Sequence, residues 1–295
     1  MHQNKNQNQL HVPVLLDDVV ACLSPQKGDS YLDLTAGYGG HASAIISHTQ
    51  NPDAATLVDR DENAIQELRT VFKSGTRIIN DDFLTASQLL VDESQKFDMI
   101  LADLGVSSPH LNLAERGFMF SESGPLDMRM DQRQLLTAEV IVNTYSTDAI
   151  TDILKRYGEE PKAARIAQAI AAARPLTTTA ELAALVAKIW PGYSRTHPAT
   201  RTFQALRIAV NDELGLLERS LPLWIDLLAP GGRIAVISFH SLEDRVVKRF
   251  LADRAGERYD ADLRLLTKRP ISAGPTELVS NPRARSAKLR AAVKK

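Results

Sequence analysis

The sequence of 295 residues predicts an α/β fold, in which a Rossmann-like, mostly parallel sheet carries an all-helical insertion after its fourth strand. Short apolar runs alternate with helical patterns from residue 30 onward, as strands and helices do in parallel sheets. A glycine-rich loop lies between the first apolar run and the helical pattern that follows it. The alternation stops after Leu104 and resumes near Pro230, with helical patterns between them.

Apolar runs define the predicted strands, and helical patterns follow most of them. The runs are Tyr31–Leu34, Ala55–Val58, Arg77–Ile79, Phe97–Leu101 and Arg233–Phe239, and the helical patterns lie at about 41–48, 61–73, 83–92 and 241–255. Because the helices connect parallel strands, we expect them to cover both faces of the sheet.

The insertion begins with Gly105–Asp131, whose Gly, Pro and Ser content predicts a long functional loop. Helices are predicted over Pro161–Arg174, from the capping-box spacing at Thr178 to Pro191, and from Pro198 onward. The predicted divisions are a disordered tail over 1–10, a sheet domain over 11–104 and 215–295, and an inserted loop and helical subdomain over 105–214.

The helix that starts at Pro198 shows two stripes. Apolar residues at helical spacing predict one continuous buried seam, formed by Phe203, Leu206, Val210, Leu214, Leu217 and Leu221. A neighbouring arc carries Arg201, Gln204, Arg207 and Asn211. This arc is compatible with an ordinary solvated face and with contacts to phosphates and base edges.

Charge is distributed unevenly, although the formal net charge is −1. Residues 264–295 carry nine Lys or Arg and one acid, so the rest of the chain is acidic. A basic end indicates a polyanionic partner, and a solvated tail is the alternative. Its residues Lys288–Val293 also fit the last strand of the sheet.

Composition excludes several classes of protein. A hydrophobic content of 44% excludes a wholly disordered chain, and the single cysteine, Cys22, excludes an internal disulfide and cysteine-rich metal sites. No pair of His, Asp or Glu has metal-ligand spacing, so no metal is predicted. The N-terminal residues lack an apolar core, and no apolar run reaches the roughly 20 residues of a membrane span. We therefore expect a cytoplasmic protein without membrane contact.

The loop Asp33–Ala42 reads DLTAGYGGHA and is the predicted cofactor site. Its Gly37-x-Gly39-x-x-Ala42 pattern satisfies the dinucleotide fingerprint, and Asp59 after the second strand could bind a ribose, so a nicotinamide-dependent dehydrogenase is one interpretation. A diphosphate disfavours the extra carboxylate of Asp33, whereas the cationic S-adenosylmethionine favours it. A glycine turn without a ligand is the third interpretation.

Asp103 ends the fourth strand, at the edge where open parallel sheets bind ligands, and Ser107-Ser108-Pro109 follows it. Methyltransferases that act on amines often place such acceptors here, and an Asp that caps a turn is the alternative. His240, after the fifth strand, fits a general base or a structural residue, and Ser241 with Glu243 and Asp244 fits a helix start.

These residues resemble the RsmH (MraW) family, which methylates N4 of a cytosine in the decoding region of bacterial 16S ribosomal RNA. The matching segments are His11–Leu16, Asp33–His41, Asp103–His110, Arg116–Phe118, Gly124–Asp131, His197–Arg207, Ser238–Arg245 and Asn281–Arg290. They follow the family order over nearly the whole chain, and the segments GPLDMRMD and HPATRTFQALR are long and specific.

The resemblance implies a class I methyltransferase fold that uses S-adenosylmethionine, with 105–214 as the substrate-recognition subdomain. It assigns cofactor contacts to a set of residues, namely Asp33, Gly37, Gly39, Gly40, His41, Asp59, Phe83, Asp103 and His110. His110 stands where the family usually has Gln, which leaves that contact open because an imidazole cannot donate and accept as an amide does.

The implied reaction needs positioning and no covalent intermediate. Catalytic roles fall to Asp103, Ser107, Ser108 and Pro109, and RNA-binding roles to Arg201, Gln204, Arg207, Arg283, Arg285, Lys288 and Arg290. The expected partner is 16S ribosomal RNA or the small ribosomal subunit, and homodimer formation is left open. A non-catalytic RNA-binding protein on the same fold is the further alternative.

Overall fold

The structure of the protein is a computed structural model that describes residues 13–73, 75–105, 113–190, 196–256, 259 and 261–295. The chain divides into two compact units, one formed by Met1–Gly105 with Leu217–Lys295 and the other by Val106–Leu216. The predicted tail over 1–10 lies outside the described residues. Over the described ranges, no helix has the length and apolar character that crossing a membrane requires.

The first unit contains a seven-stranded sheet of order β3–β2–β1–β4–β5–β7–β6. Its strands are β1 (Tyr31–Asp33), β2 (Ala55–Asp59), β3 (Arg77–Asn80), β4 (Phe97–Asp103), β5 (Leu228–Ser238), β6 (Leu263–Leu265) and β7 (Lys288–Lys294). Strands β1 to β5 pair in parallel, whereas β7 pairs antiparallel with both β5 and β6. The mostly parallel sheet is confirmed, and the strand fitted by Lys288–Val293 is β7.

Twelve α-helices lie in the part of the chain that the structure describes. They are α1 (Leu16–Leu23), α2 (Gly40–Thr49), α3 (Glu62–Val71), α4 (Phe83–Asp92), α5 (Ala138–Thr144), α6 (Thr147–Gly158), α7 (Ala163–Ala173), α8 (Thr179–Ile189), α9 (Thr200–Asn211), α10 (Glu213–Leu227), α11 (Ser241–Asp253) and α12 (Pro275–Ser280). Helices α5 to α9 belong to the second unit.

The core of the first unit forms because its central strands are apolar on both faces. All three residues of β1 are buried, and Met99 and Leu101 of β4 join residues of α1, α2 and α3 in one apolar cluster. The helices that follow β2 and β3 start at acids: Asp61 accepts from Asn63 N, and Asp82 accepts from Leu84 N and Thr85 N. These caps satisfy donors that the helices leave free at the ends of the strands.

The second unit has its own core, built from helices and from the segment Gly124–Asp131. Alternate residues of that segment, Leu126, Met128 and Met130, are buried with the apolar faces of the helices. The predicted capping box at the start of α8 is confirmed, since Thr178 accepts from Glu181 N and Glu181 accepts from Thr178 N.

The single helix predicted from Pro198 is wrong, because the chain breaks into α9 and α10 at Asp212. Asp212 adopts a left-handed backbone with a φ of 47°, and its N–H caps Ile208 O. Its carboxylate lies over Gly215, where a Cβ would stand 2.3 Å from Oδ1. The apolar periodicity continues across this break and therefore hides it.

The predicted start of α11 at Ser241 is confirmed, and the residue that caps this helix was not predicted. His240, not Ser241, is the N-cap: its Nδ1 accepts from Glu243 N at 3.3 Å, and Glu243 accepts from His240 N. An imidazole nitrogen replaces the usual hydroxyl or carboxylate of this position. His240 therefore has the structural role that was one of its two predicted interpretations.

Candidate functional site

Three acids end three neighbouring strands at one edge of the sheet in the first unit. Asp33 ends β1, Asp59 ends β2 and Asp103 ends β4. Strand β1 pairs with β2 on one side and with β4 on the other, so the three carboxyl ends lie side by side. Open parallel sheets bind ligands at this edge.

The glycine loop turns sharply between β1 and α2. Gly37 and Gly39 have φ values of 53° and 81°, and Ala36 N donates to Val58 O at 2.8 Å, which ties the loop to β2. A Cβ on Gly39 would stand 2.8 Å from the ring of Phe72, so both packing and backbone require glycine there. A Cβ on Gly37 would meet nothing closer than Thr35 O at 3.9 Å, so the space above Gly37 is open to a ligand.

Asp59 shapes the loop from β2. Its Oδ2 accepts from Gly37 N at 2.8 Å, and its Oδ1 accepts from Asp61 N at 2.9 Å. A carboxylate has about four lone-pair positions, so it can accept several hydrogen bonds at once. The sequence indicated the acid but not its bond to the glycine loop.

Asp33 is buried beneath the loop, with 1% of its surface exposed. Its Oδ2 accepts from the Tyr31 hydroxyl at 2.7 Å, and its Oδ1 accepts from Thr35 N at 3.2 Å. Burial raises the pKa of Asp33 to about 7, and the carboxylate of Asp59 adds to the rise while the two hydrogen bonds oppose it. The role of Tyr31 was missed, although residues 31 and 33 of one strand share a face.

Asp103 has the least satisfied carboxylate of the three acids. Its Oδ1 is buried and accepts no hydrogen bond from the described residues, and its Oδ2 lies 3.7 Å from His41 Nδ1. Its backbone N–H donates to Thr35 Oγ1 at 2.6 Å. Burial raises the pKa of Asp103 well above its ordinary value, and the carboxylates of Asp33 and Glu243 raise it further.

His41, the predicted cofactor ligand at the start of α2, is held between two groups. Its Nε2 lies 3.0 Å from Val14 O, and its Nδ1 faces Asp103. A bond from Nε2–H to that carbonyl leaves Nδ1 as the acceptor of the neutral ring. Protonation of Nδ1 turns the contact with Asp103 into an ion pair.

Phe83 lies at the start of α4, after the end of β3, and its ring is buried. It contacts Trp224 edge to face, with 5.6 Å between the ring centroids. Trp224 in turn donates from Nε1 to Ser87 Oγ at 3.1 Å. The position of Trp224 could not be predicted from the sequence, because Trp224 and Ser87 are 137 residues apart.

Ser107, Ser108, Pro109 and His110 lie outside the described residues, so their predicted roles stay predictions. The predicted RNA-binding arc of α9 is described, and its polar groups contact the second unit itself. Arg201 donates to Glu159 O, Gln204 donates to Tyr157 O, and Arg207 forms a two-bond ion pair with Glu213. Their RNA-binding role is untested.

The basic end of the chain divides into exposed and buried cations. Arg283 and Arg285 are exposed in a short 3₁₀ turn over Pro282–Ser286. Lys288 and Arg290 lie in β7 and both pair with Asp244 of α11, at 3.3 and 2.7 Å. These pairs hold the antiparallel end of the sheet to the helix.

The edge suits a cationic cofactor better than a diphosphate. Asp59 and Asp103 border the glycine loop and Asp33 lies beneath it, so a diphosphate there would meet like charge. A sulfonium and an ammonium meet opposite charge at the same place. Fold and site together define a Rossmann-like methyltransferase whose cofactor is S-adenosylmethionine.

The chain belongs to the MraW methylase family, whose family model matches residues 8–295. It is similar to the ribosomal RNA small subunit methyltransferase H of Magnetococcus marinus, with 45% identity over 96% of this chain and 98% of that protein. It is also similar to the protein of the same name from a Cyanothece species, with 49% identity over 96% of this chain and 94% of that protein. Neither the nicotinamide-dependent dehydrogenase nor the non-catalytic RNA-binding protein is supported.

Among solved structures, the chain is similar to a putative rRNA methylase from Clostridium thermocellum. The similarity covers 97% of this chain and 100% of that chain, at 11% identity and a TM-score of 0.47.

Proposed function

We propose that the protein transfers a methyl group to the exocyclic N4 amine of a cytosine in 16S ribosomal RNA. The observation that carries the proposal is the Asp103 carboxylate, whose buried Oδ1 lacks a partner in the described chain beside the glycine loop. The names of the relatives supply the class of substrate, since both are ribosomal RNA small subunit methyltransferases. A ribosomal substrate implies a cytoplasmic location.

An exocyclic amine is a weak nucleophile because its lone pair is delocalised into the ring, so orientation governs the rate. S-adenosylmethionine supplies an activated methyl group when it is bound. In the transfer, the amine nitrogen would gain a bond to that carbon as the carbon–sulfur bond breaks and the sulfur leaves as a neutral thioether. The nitrogen would lose one proton, and Asp103 accepts the hydrogen bond that aligns its lone pair. The raised pKa of Asp103, caused by burial and by Asp33 and Glu243, strengthens it as the proton acceptor.

The other two acids hold the cofactor in this proposal. Asp59 binds the ribose hydroxyls from the end of β2, beside the glycine loop that it contacts at Gly37. Asp33 places negative charge beneath the loop, toward the ammonium of the methionine portion. Phe83 offers a flat apolar surface to the adenine at the start of α4.

RNA recognition requires the target cytosine to leave its stack. Ser107, Ser108 and Pro109 follow β4 in sequence, and we propose that they supply hydrogen-bond acceptors for the same amine. Exposed Arg283 and Arg285, with Arg201 of α9, are the cations of the predicted RNA-binding set best placed to meet phosphates.

Mass spectrometry of digested RNA tests this function directly. Purified protein, isotope-labelled S-adenosylmethionine and either naked 16S RNA or isolated small subunits should give labelled N4-methylcytosine. The Asp103→Ala variant serves as the negative control. Labelled 5-methylcytosine, or label on another base, contradicts the proposal.

A further inference from the structure

A small cavity lies at the antiparallel end of the sheet in the first unit, away from the acids of the cofactor site. It has a volume of about 70 Å³ between α11 and strands β6 and β7. Lys248, Lys268 and Arg290 line it together with Thr267, and Leu251 and Leu265 form apolar walls. Three cationic side chains therefore converge on one cavity, and no acidic residue lines it.

Arg290 is the buried cation of this cavity, with 9% of its side chain exposed. Its Nε and Nη2 donate to Asp244 at 2.7 and 3.3 Å, whereas Nη1 donates to no described residue. Thr267 is also buried, and its Oγ1 accepts from Ala291 N at 3.0 Å. A hydroxyl that accepts this bond still has its own proton to donate.

Lys248 and Lys268 are exposed at the mouth of the cavity and form no ion pair with the described residues. Asp244, the acid that pairs with Arg290, also pairs with Lys288. The cavity therefore has an excess of positive charge and several unused donors. Such a combination beside apolar walls binds an oxyanion strongly, since the walls limit screening by water.

We propose that this cavity binds one backbone phosphate of the RNA substrate, an inference that rests on the proposed function. A volume of about 70 Å³ has room for a few water molecules, which fits a phosphate oxyanion. Arg290 pairs with Val236, two residues before β5 ends at the edge that also carries Asp103. RNA held at that edge can therefore place a neighbouring phosphate here, whereas S-adenosylmethionine has none to offer.

The test is the salt dependence of RNA affinity. Lys248→Gln combined with Lys268→Gln removes two exposed, unpaired charges and leaves the Arg290–Asp244 pair intact. Lys27→Gln combined with Lys73→Gln is the matched control, because both lysines are exposed and lie outside the cavity. Fluorescence anisotropy with a fragment of 16S RNA, from about 50 to about 200 mM salt, gives the slope of log K against log salt.

We expect the cavity variant to reduce that slope by about 0.7–0.9, the contribution of one phosphate contact, and the control to keep the wild-type slope. Calorimetry should show unchanged S-adenosylmethionine affinity in both variants. A wild-type slope in the cavity variant overturns the proposal, as does an equal loss in the control.

Two further outcomes separate the sources of failure. In the first, inorganic phosphate raises the melting temperature of wild type but not of the cavity variant, and the salt slope of RNA binding is the same in both proteins. This outcome identifies a site for free anions and overturns the RNA assignment. Wild-type protein that neither binds nor methylates 16S RNA refutes the proposed function, and the RNA assignment of the cavity with it.

Discussion

The carboxyl edge of the first unit and the core of the second unit are both built from motif-rich segments, yet they use their polar groups differently. At the edge, Asp103 retains a buried oxygen without a partner among the described residues, and the space above Gly37 is open. In the second unit, Asp127 and Arg129 form a two-bond ion pair, and Asn211 bonds to Met130 N and Met128 O.

The difference separates a binding surface from a scaffold. The segment Gly124–Asp131 is as distinctive in sequence as the glycine loop, but its charged pair and its buried methionines stabilise the second unit. The buried oxygen of Asp103, which lacks a partner among the described residues beside the open glycine loop, therefore marks where we expect a ligand, whereas a distinctive sequence does not.

The largest effect should come from Asp103. We expect Asp103→Ala to lose at least about 100-fold in methyl transfer, because the amine loses its proton acceptor. Since Asp103 also borders the cofactor, the rate is measured at saturating S-adenosylmethionine. Asp92→Ala, an exposed acid at the end of α4, is the control. If the folded variant loses less than tenfold in the rate of methyl transfer, Asp103 at this edge does not take part in catalysis.

Asn211→Ala tests the scaffold. The substitution leaves Met130 N and Met128 O unsatisfied in the core, so we expect about 2–3 kcal/mol less stability toward denaturant. Cofactor affinity of the folded protein should not change. If the variant has normal stability but cannot methylate RNA, the contrast between the two units is wrong. The segment Gly124–Asp131 would then be a binding surface and not part of the scaffold.

Asp59→Ala tests the ribose site. We expect S-adenosylmethionine to bind about 1–3 kcal/mol more weakly, since a charged acceptor is lost and the glycine loop loses its bond to Asp59 Oδ2. Calorimetry measures the change, with Asp92→Ala again as the control. Unchanged affinity contradicts the assignment.

The pH dependence of cofactor binding tests Asp33, whose pKa is raised to about 7 by burial. A cationic ligand prefers the ionised form, so affinity should rise by up to about fivefold from pH 6 to pH 7, by up to about tenfold from pH 6 to pH 8, and level off above pH 8. Tyr31, Asp59, Asp103 and His41 are further ionisable groups that face this region.

Asp33→Asn should flatten this profile, and Asp98→Asn, at the bond to Ser30, should retain it. The stability of the folded protein should change with pH in the opposite direction. Burial raises the pKa of Asp33 in the folded protein above its ordinary value of 3.8. The contribution of Asp33 to the free energy of unfolding is therefore complete below about pH 4 and is lost as the pH rises through 7. Calorimetry at three pH values that shows no difference between wild type and Asp33→Asn contradicts the role.

The smallest effect should come from Cys22. Methylation of carbon 5 of a cytosine ordinarily needs a cysteine nucleophile, whereas an exocyclic amine does not. Cys22 lies in α1, and burial raises the pKa of its thiol, which disfavours the reactive thiolate. Cys22→Ala should methylate RNA at the wild-type rate. A folded but inactive Cys22→Ala refutes amine methylation.

Local features of the fold and site were predictable from sequence. The acids at strand ends, the glycine loop and the capping box of α8 are encoded within a few residues. Contacts between distant residues were not. Thr35 and Asp103 are 68 residues apart, and Arg290 and its partner Asp244 are 46 residues apart.

The position at which a helix breaks inside a periodic apolar segment also could not be predicted from the sequence. The apolar spacing runs through Asp212 without a change, although the predicted continuous seam is wrong. Phe203, Leu206 and Val210 are buried in the core of the second unit. Leu217 and Leu221 are buried in the first unit, and Leu214 is only partly buried. His240 was unpredictable as a cap since hydroxyl and carboxylate side chains are the usual N-caps.

The hydrogen bond from Asp103 N to Thr35 Oγ1 has a dynamic consequence. At 2.6 Å, with the neighbouring bond from Leu34 N to Leu101 O, it fastens the cofactor loop to the end of β4. Thermal displacement of the loop therefore carries Asp103 with it. A misplacement of about 1 Å can cost a reaction about 100-fold, so correlated motion of these two elements keeps the methyl donor and the proton acceptor in step while the protein fluctuates.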